Sequence, residues 1–156
     1  ASPGTLEIGG NLTLDAEAET IFELGGPLPG DGDGHYDQVH VAGVANLGGV
    51  LTIRGLDSYD PSDATFYLLS RNGGTGTFTD LDEGDWVRVD TPLGTYAAQI
   101  TYLANWTGDV LTSALTGGDD VALLGMVVAP EPSTATGLLL LGLLYFGGRR
   151  WRQRRR

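Results

Sequence analysis

The sequence predicts an all-β body followed by one apolar segment near the C-terminus. Three observations carry that expectation. Through residues 1–129, short runs of alternating or β-branched apolar residues are separated by Gly, Asp, Asn and Pro. No window of roughly eleven residues there holds a 3.6-residue period. The long uncharged apolar run is confined to residues 133–148, STATGLLLLGLLYFGG. The 156 residues suit one domain of ordinary size. Glycine supplies 25 of them, about twice the usual ~7%. Cys is absent, which removes disulfides, thiolate metal sites and a Cys nucleophile.

In chain order the alternation places strands near 5–8, 11–14, 20–24, 38–41, 45–47, 50–53, 65–69, 76–78, 86–89, 96–103 and 121–128. Breakers stand at Gly9-Gly10, Gly25-Gly26-Pro27, Gly48-Gly49 and Gly73-Gly74. Strand spacings of about 6–12 residues fit a β-solenoid, a sandwich or a β-roll. GGNLTLD at 9–15 resembles ANLGGVLTIRG at 45–55, as two copies of one solenoid corner and strand would. In that pattern Gly or Asn takes the corner that needs a positive φ.

Charge divides the chain. Residues 1–129 carry three Arg (Arg54, Arg71, Arg88) against 19 acids, a net −16. Residues 130–156 carry six Arg against Glu131, a net +5. An acidic body repels phosphate backbones, so nucleic acid is not the expected partner.

The run 133–148 spans ~24 Å as a helix, somewhat short of a ~30 Å hydrocarbon core. Arg149 and Arg150 can snorkel, and Tyr145, Phe146 and Trp151 stand where an interfacial belt would be. A single transmembrane helix with a stop-transfer cluster of Arg149, Arg150, Arg152, Arg154, Arg155 and Arg156 is the expectation. Positive residues stay cytoplasmic, so residues 1–129 lie outside. Pro130-Glu131-Pro132 precedes the helix, and its prolines make Ala129 to Pro132 an extended, unpaired strap. Such a strap suits either a processing enzyme's cleft or a rigid spacer.

Pro-Glu-Pro, a short Leu-rich helix and an Arg-rich terminus, in that order, resemble the PEP-CTERM sorting signal of Gram-negative bacteria. The resemblance covers residues 130–156. It implies an exported protein held first in the inner membrane, then released to the cell surface or medium. It also implies an exosortase-type membrane enzyme as partner, with Pro130, Glu131 and Pro132 as its recognition residues. Exopolysaccharide and biofilm association follow from the same resemblance. The chain opens at Ala1 rather than Met and reads as a fragment or a mature form.

Residues 36–78, YDQVHVAGVANLGGVLTIRGLDSYDPSDATFYLLSRNGGTGTF, resemble the passenger-associated repeat of autotransporter β-helices. That resemblance implies the terminal rungs of a right-handed parallel β-helix, with no catalytic residue to carry over. A stack of similar rungs could have continued before Ala1.

Candidate sites in the body are sparse. Asp31-Gly-Asp33-Gly-His35-Tyr36-Asp37 starts like a Ca²⁺ loop, but His35, Tyr36 and Ala42 occupy its fifth, sixth and twelfth positions. Gly73-Gly74-Thr75-Gly76-Thr77 has Phe78 where a Ca²⁺-binding nonapeptide needs Asp. The acidic loops Asp57/Asp60/Asp63 and Asp80/Asp82/Glu83/Asp85 offer at most weak surface Ca²⁺ binding. No metal or cofactor is otherwise expected. His35 and His40 fit no zinc spacing and lie together in one hairpin-like region, without a G-x-S-x-G elbow. A non-enzymatic surface or matrix protein is therefore expected. The alternative is the C-terminal part of an extracellular polysaccharide-acting enzyme whose catalytic domain precedes residue 1.

Overall fold

The computed structural model describes residues 2–130. Among them are twelve strands and no helix. The strands are β1 (Thr5–Ile8), β2 (Leu12–Thr13), β3 (Glu19–Leu24), β4 (Leu28–Pro29), β5 (His35–Tyr36) and β6 (Gln38–Val41). They continue as β7 (Ala45–Asn46), β8 (Val50–Gly55), β9 (Phe66–Ser70), β10 (Trp86–Thr91), β11 (Gly94–Ala104) and β12 (Asp120–Val128). The segment 133–148 and the Arg-rich terminus lie outside the described residues, and no described helix is long and apolar enough to cross a membrane.

The chain winds in layers, each laid parallel on the one before. Strand β1 pairs with β6 and β6 with β9. Strand β2 pairs with β7. Strand β3 pairs with β8 and β8 with β10. Thr5 lies beside Gln38 and Leu12 beside Ala45, each 33 residues on. Between Gly73 and Thr79 the third layer is no strand, yet Ala45 N donates to Gly73 O and Leu47 N to Thr75 O. Strands β11 and β12 end the winding. They run antiparallel, β11 on β10 and β12 on β9, and so cover both free edges of the third layer.

Ten strands thus form one sheet in the order β1-β6-β9-β12-β11-β10-β8-β3-β5-β4, curled almost into a barrel. Near its two edges Gly32 N donates to Pro3 O at 2.9 Å and Thr5 N to Asp31 Oδ1 at 2.9 Å. Alternation sends one set of side chains inward. Register stacks them into columns, such as Phe22–Ile53–Val89 across β3, β8 and β10. Tyr36 and Phe66 meet edge to face at 5.1 Å inside this core. The Tyr36 hydroxyl accepts from Tyr67 N, and the Tyr102 hydroxyl accepts from Phe78 N and donates to Leu81 O.

Several expectations need correcting. Residues 76–78 are not a strand: Gly74 and Gly76 adopt positive φ, and a Cβ on Gly74 would run into Ala45 O. Strand β5 falls inside the Asp31–Asp37 run that starts like a Ca²⁺ loop, and it buries Tyr36. The two look-alike segments do not stack as copies. Leu12–Thr13 lies on Ala45–Asn46, while Val50–Gly55 lies on Glu19–Leu24. Asn11 and Asn46 hold no positive φ. Instead each side chain reaches the next layer, Asn11 Oδ1 accepting from Val44 N and Asn46 Oδ1 from Thr75 N. His35 and His40 do not share a hairpin, since β5 pairs with β3 and β4, and β6 with β1 and β9.

Candidate functional site

Three places in the body hold chemistry worth weighing: the exit of β12, the His40 cluster and the outer face of β10 and β11. At the exit, Tyr96 and Val128 are paired, and Ala129 N donates to Thr95 O at 2.9 Å. The expected strap therefore starts one residue late. Ala129 is still bound to the sheet, because only at Pro130 does the backbone lose its N–H. Pro130 is exposed; Glu131, Pro132 and the six C-terminal arginines lie outside the described residues. Among the described residues, sheet bonding accordingly runs to Ala129, the residue before the tripeptide.

His40 stands on the outer face of β6, in register with Glu7 of β1 and Ser70 of β9. Its Nδ1 lies 2.6 Å from Ser70 Oγ, and its ring stacks on Trp106 at 6.3 Å. A serine beside a histidine invites comparison with acyl transfer, which needs N–H donors for the oxyanion. The neighbouring donors are already committed: Arg71 N to Asp120 Oδ1 and Asn72 N to Gly43 O. Trp106 also packs on Tyr67 at 5.2 Å, beside buried Ala104 and Ala122. The cluster therefore pins the 105–119 segment onto the outer face of β9 and β12.

Several carboxylates serve as cross-links. Asp37 accepts from Gly4 N and Glu23 N, both at 2.7 Å, tying β1 to β3. Asp31, expected within a loose Ca²⁺-like loop, is held by Thr5 N. Buried Asp120 accepts from Arg71 N and Trp106 N, while Arg71 reaches Asp119 O and Ala45 O. Burial raises the pKa of Asp120 against the lowering pull of those two bonds. Asp60 moves the other way, lowered chiefly by the Ser62 hydroxyl. Among the described residues, no three His, Cys, Asp or Glu side chains converge on a metal-sized space. Sequence reading missed the cross-linking roles of Asp37, Asp120 and Arg71 because their partners lie 14 to 49 residues away.

On the outer face, Trp86 of β10 lies opposite Gln99 of β11, which lies opposite Leu124 of β12. Trp86 is 56% exposed. Beside Gln99 opens a cavity of about 220 Å³. Glu83, Thr101, Leu115, Thr116 and Leu124 help to line it. Compared with protein-family models, with curated proteins and with solved structures, the chain matches none.

Proposed function

We propose that this chain is an exported, non-enzymatic surface or matrix protein, sorted by an exosortase-type membrane enzyme that reads Pro130, Glu131 and Pro132. On this reading the body is the terminal part of a right-handed parallel β-helix. Residues 133–148 are its temporary membrane anchor, and Arg149 to Arg156 hold the end in the cytoplasm. The observation that carries the proposal is the order of tripeptide, apolar run and Arg cluster in the sequence. The exit of β12 supports it. Among the described residues, Ala129 N makes a backbone bond to Thr95 O, and Pro130, the first residue of the tripeptide, is exposed. Parallel pairing of three layers, and an antiparallel pair that ends the winding, support the β-helix reading.

Glu131 is the one charge between Asp120 and Arg149, which suits a specific pairing with an Arg or Lys of the enzyme. A spacer needs the prolines but not the acid. Glu131→Gln keeps the shape and removes the charge. In an exosortase-containing host it should leave an uncleaved, membrane-held form, measured by mass in the membrane and released fractions. Normal release of this variant reduces the tripeptide to a spacer.

A further inference from the structure

We propose that the outer face of β10 and β11 binds a neutral glycan, with one sugar ring in the cavity beside Gln99 and a neighbouring ring stacked on Trp86. The inference deepens the surface-protein reading and rests on it for the presence of glycan; the site itself is argued from geometry. Trp86 and Gln99 are directly opposed on antiparallel strands, which puts their side chains side by side on one face. A Trp left 56% exposed on the outer face of the sheet offers a broad apolar surface to the C–H face of a pyranose. The adjoining cavity, about 220 Å³, falls below the roughly 300–1,000 Å³ that suits drug-sized ligands. It holds one ring, not a chain.

Its lining matches a sugar's two faces. Leu115 and Leu124 supply apolar wall, and Glu83, Gln99, Thr101 and Thr116 supply hydrogen-bonding groups. Three of those groups, Gln99, Glu83 and Thr101, are oriented before any ligand arrives. Gln99 Nε2 donates to Gly84 O, which holds the amide in place and leaves Oε1 as an acceptor. Glu83 Oε2 accepts from Tyr102 N, which leaves its second oxygen for a hydroxyl. Thr101 Oγ1 accepts from Leu103 N, so its proton can be donated. Fixed groups of this kind lower the ordering cost of binding. The charge selects among glycans. The cavity lining includes a carboxylate and no cation, and the body carries a net −16 over residues 1–129. Uronate, sulfate and phosphate groups are repelled, and so are nucleotides.

The test uses the full chain in a detergent without a sugar headgroup. Calorimetry is run against hexaoses of β-1,4-glucose, β-1,3-glucose, mannose and galactose, with an oligouronate as the anionic comparison. At least one neutral hexaose should bind with a Kd on the order of 0.1–1 mM, the weak end of the affinity scale. Its affinity should change less than twofold between 0.05 and 0.5 M NaCl, as expected for an uncharged ligand, although the Debye length falls roughly threefold over that range. Trp86→Ala should weaken binding at least tenfold and Gln99→Leu at least threefold. Leu6→Ala, on exposed β1 away from β10 and β11, should bind as the parent does. Circular dichroism checks that each variant is folded. The proposal is overturned by any of three results: no neutral hexaose bound at 5 mM, unchanged affinity in Trp86→Ala, or tighter binding of the oligouronate. Because purified protein is used, failure here is separable from failure of the Glu131→Gln release test.

Discussion

The two ends of the wound body differ in how they treat the same problem, the unpaired edges and apolar interior of a terminal layer. At the end formed by β9 and β10, strands β12 and β11 pair antiparallel along both edges. At the other end β1 is an edge of the large sheet and β2 an edge of the small one. One inward column runs the whole way, Leu6–Val39–Leu69–Val121, on β1, β6, β9 and β12. Its exposure falls from 57% at Leu6 to 2% at Leu69 and none at Val121. The same type of position is thus core at one end and surface at the other. What changes is the neighbouring layer, not the residue. Stacked layers gain stability from neighbours on both sides, so a layer with one neighbour is the weaker. Carboxylates supply part of the missing support at the open end, where Asp37 ties Gly4 to Glu23 and Asp31 holds Thr5.

The comparison can be broken first at the covered end. Ile100 of β11 is fully buried. Ile100→Ala should cost about 2–5 kcal/mol, read from urea unfolding of the full chain. A loss below about 1 kcal/mol would mean that the β11–β12 pair is an appendage rather than a cap. Next in size is Asp120→Ala, which leaves Arg71 N and Trp106 N without their acceptor. It should cost about 1–3 kcal/mol. It should also loosen the 105–119 segment, seen as faster amide exchange at Trp106.

Alkali tests the shared core. All five described tyrosines, Tyr36, Tyr59, Tyr67, Tyr96 and Tyr102, have raised pKa values, with burial the largest cause in each. Tyr102 is pushed up to about 12. In the unfolded chain tyrosines ionise near ~10. Their contribution to stability is therefore whole below pH ~10 and is lost as pH rises through the folded values. The urea midpoint should fall between pH 10 and 12 while tyrosinate absorbance appears only with unfolding. Early absorbance with an intact fold would show the rings to be accessible. In acid the effects oppose one another. Asp120, raised by burial, contributes stability below pH ~4 that fades as pH rises through its folded value. Asp60, lowered by Ser62, and Asp90, lowered by Arg88, contribute stability above pH ~4 that fades as pH falls through theirs. A shallow acid limb is expected. The smallest effect belongs to the open end, where Leu6→Ala should stay within about 0.5 kcal/mol of the parent. A cost as large as that of Ile100→Ala would show that β1 is buried in solution by another layer.

Strand existence was legible wherever alternation is strong. Residues 5–8 and 38–41 read as strands and are β1 and β6. Local reading failed where tertiary contact outvotes composition. His35–Tyr36 sits among Gly and Asp, yet becomes β5 because Tyr36 fills the core against Phe66. Residues 76–78 look like a strand, yet Gly74 and Gly76 must take positive φ to pass the carbonyls of the layer beside them. The Trp86–Gln99 face was invisible for another reason. An exposed Trp and a Gln thirteen residues apart mean nothing until an antiparallel register sets them side by side.

By itself the sequence determined the all-β class, the acidic body and the order of tripeptide, apolar run and Arg cluster at the end. Those depend on composition, on a period of two and on spacing along the chain, all of which are local. Tertiary structure alone decided which strands are neighbours, which of two similar apolar residues is core, and which carboxylates bind backbone across layers. The physical reason is that stacking register is set by long-range fit. Leu6 and Leu69 are both leucines on alternating strands, and only the presence of a layer on each side of Leu69 separates 2% exposure from 57%.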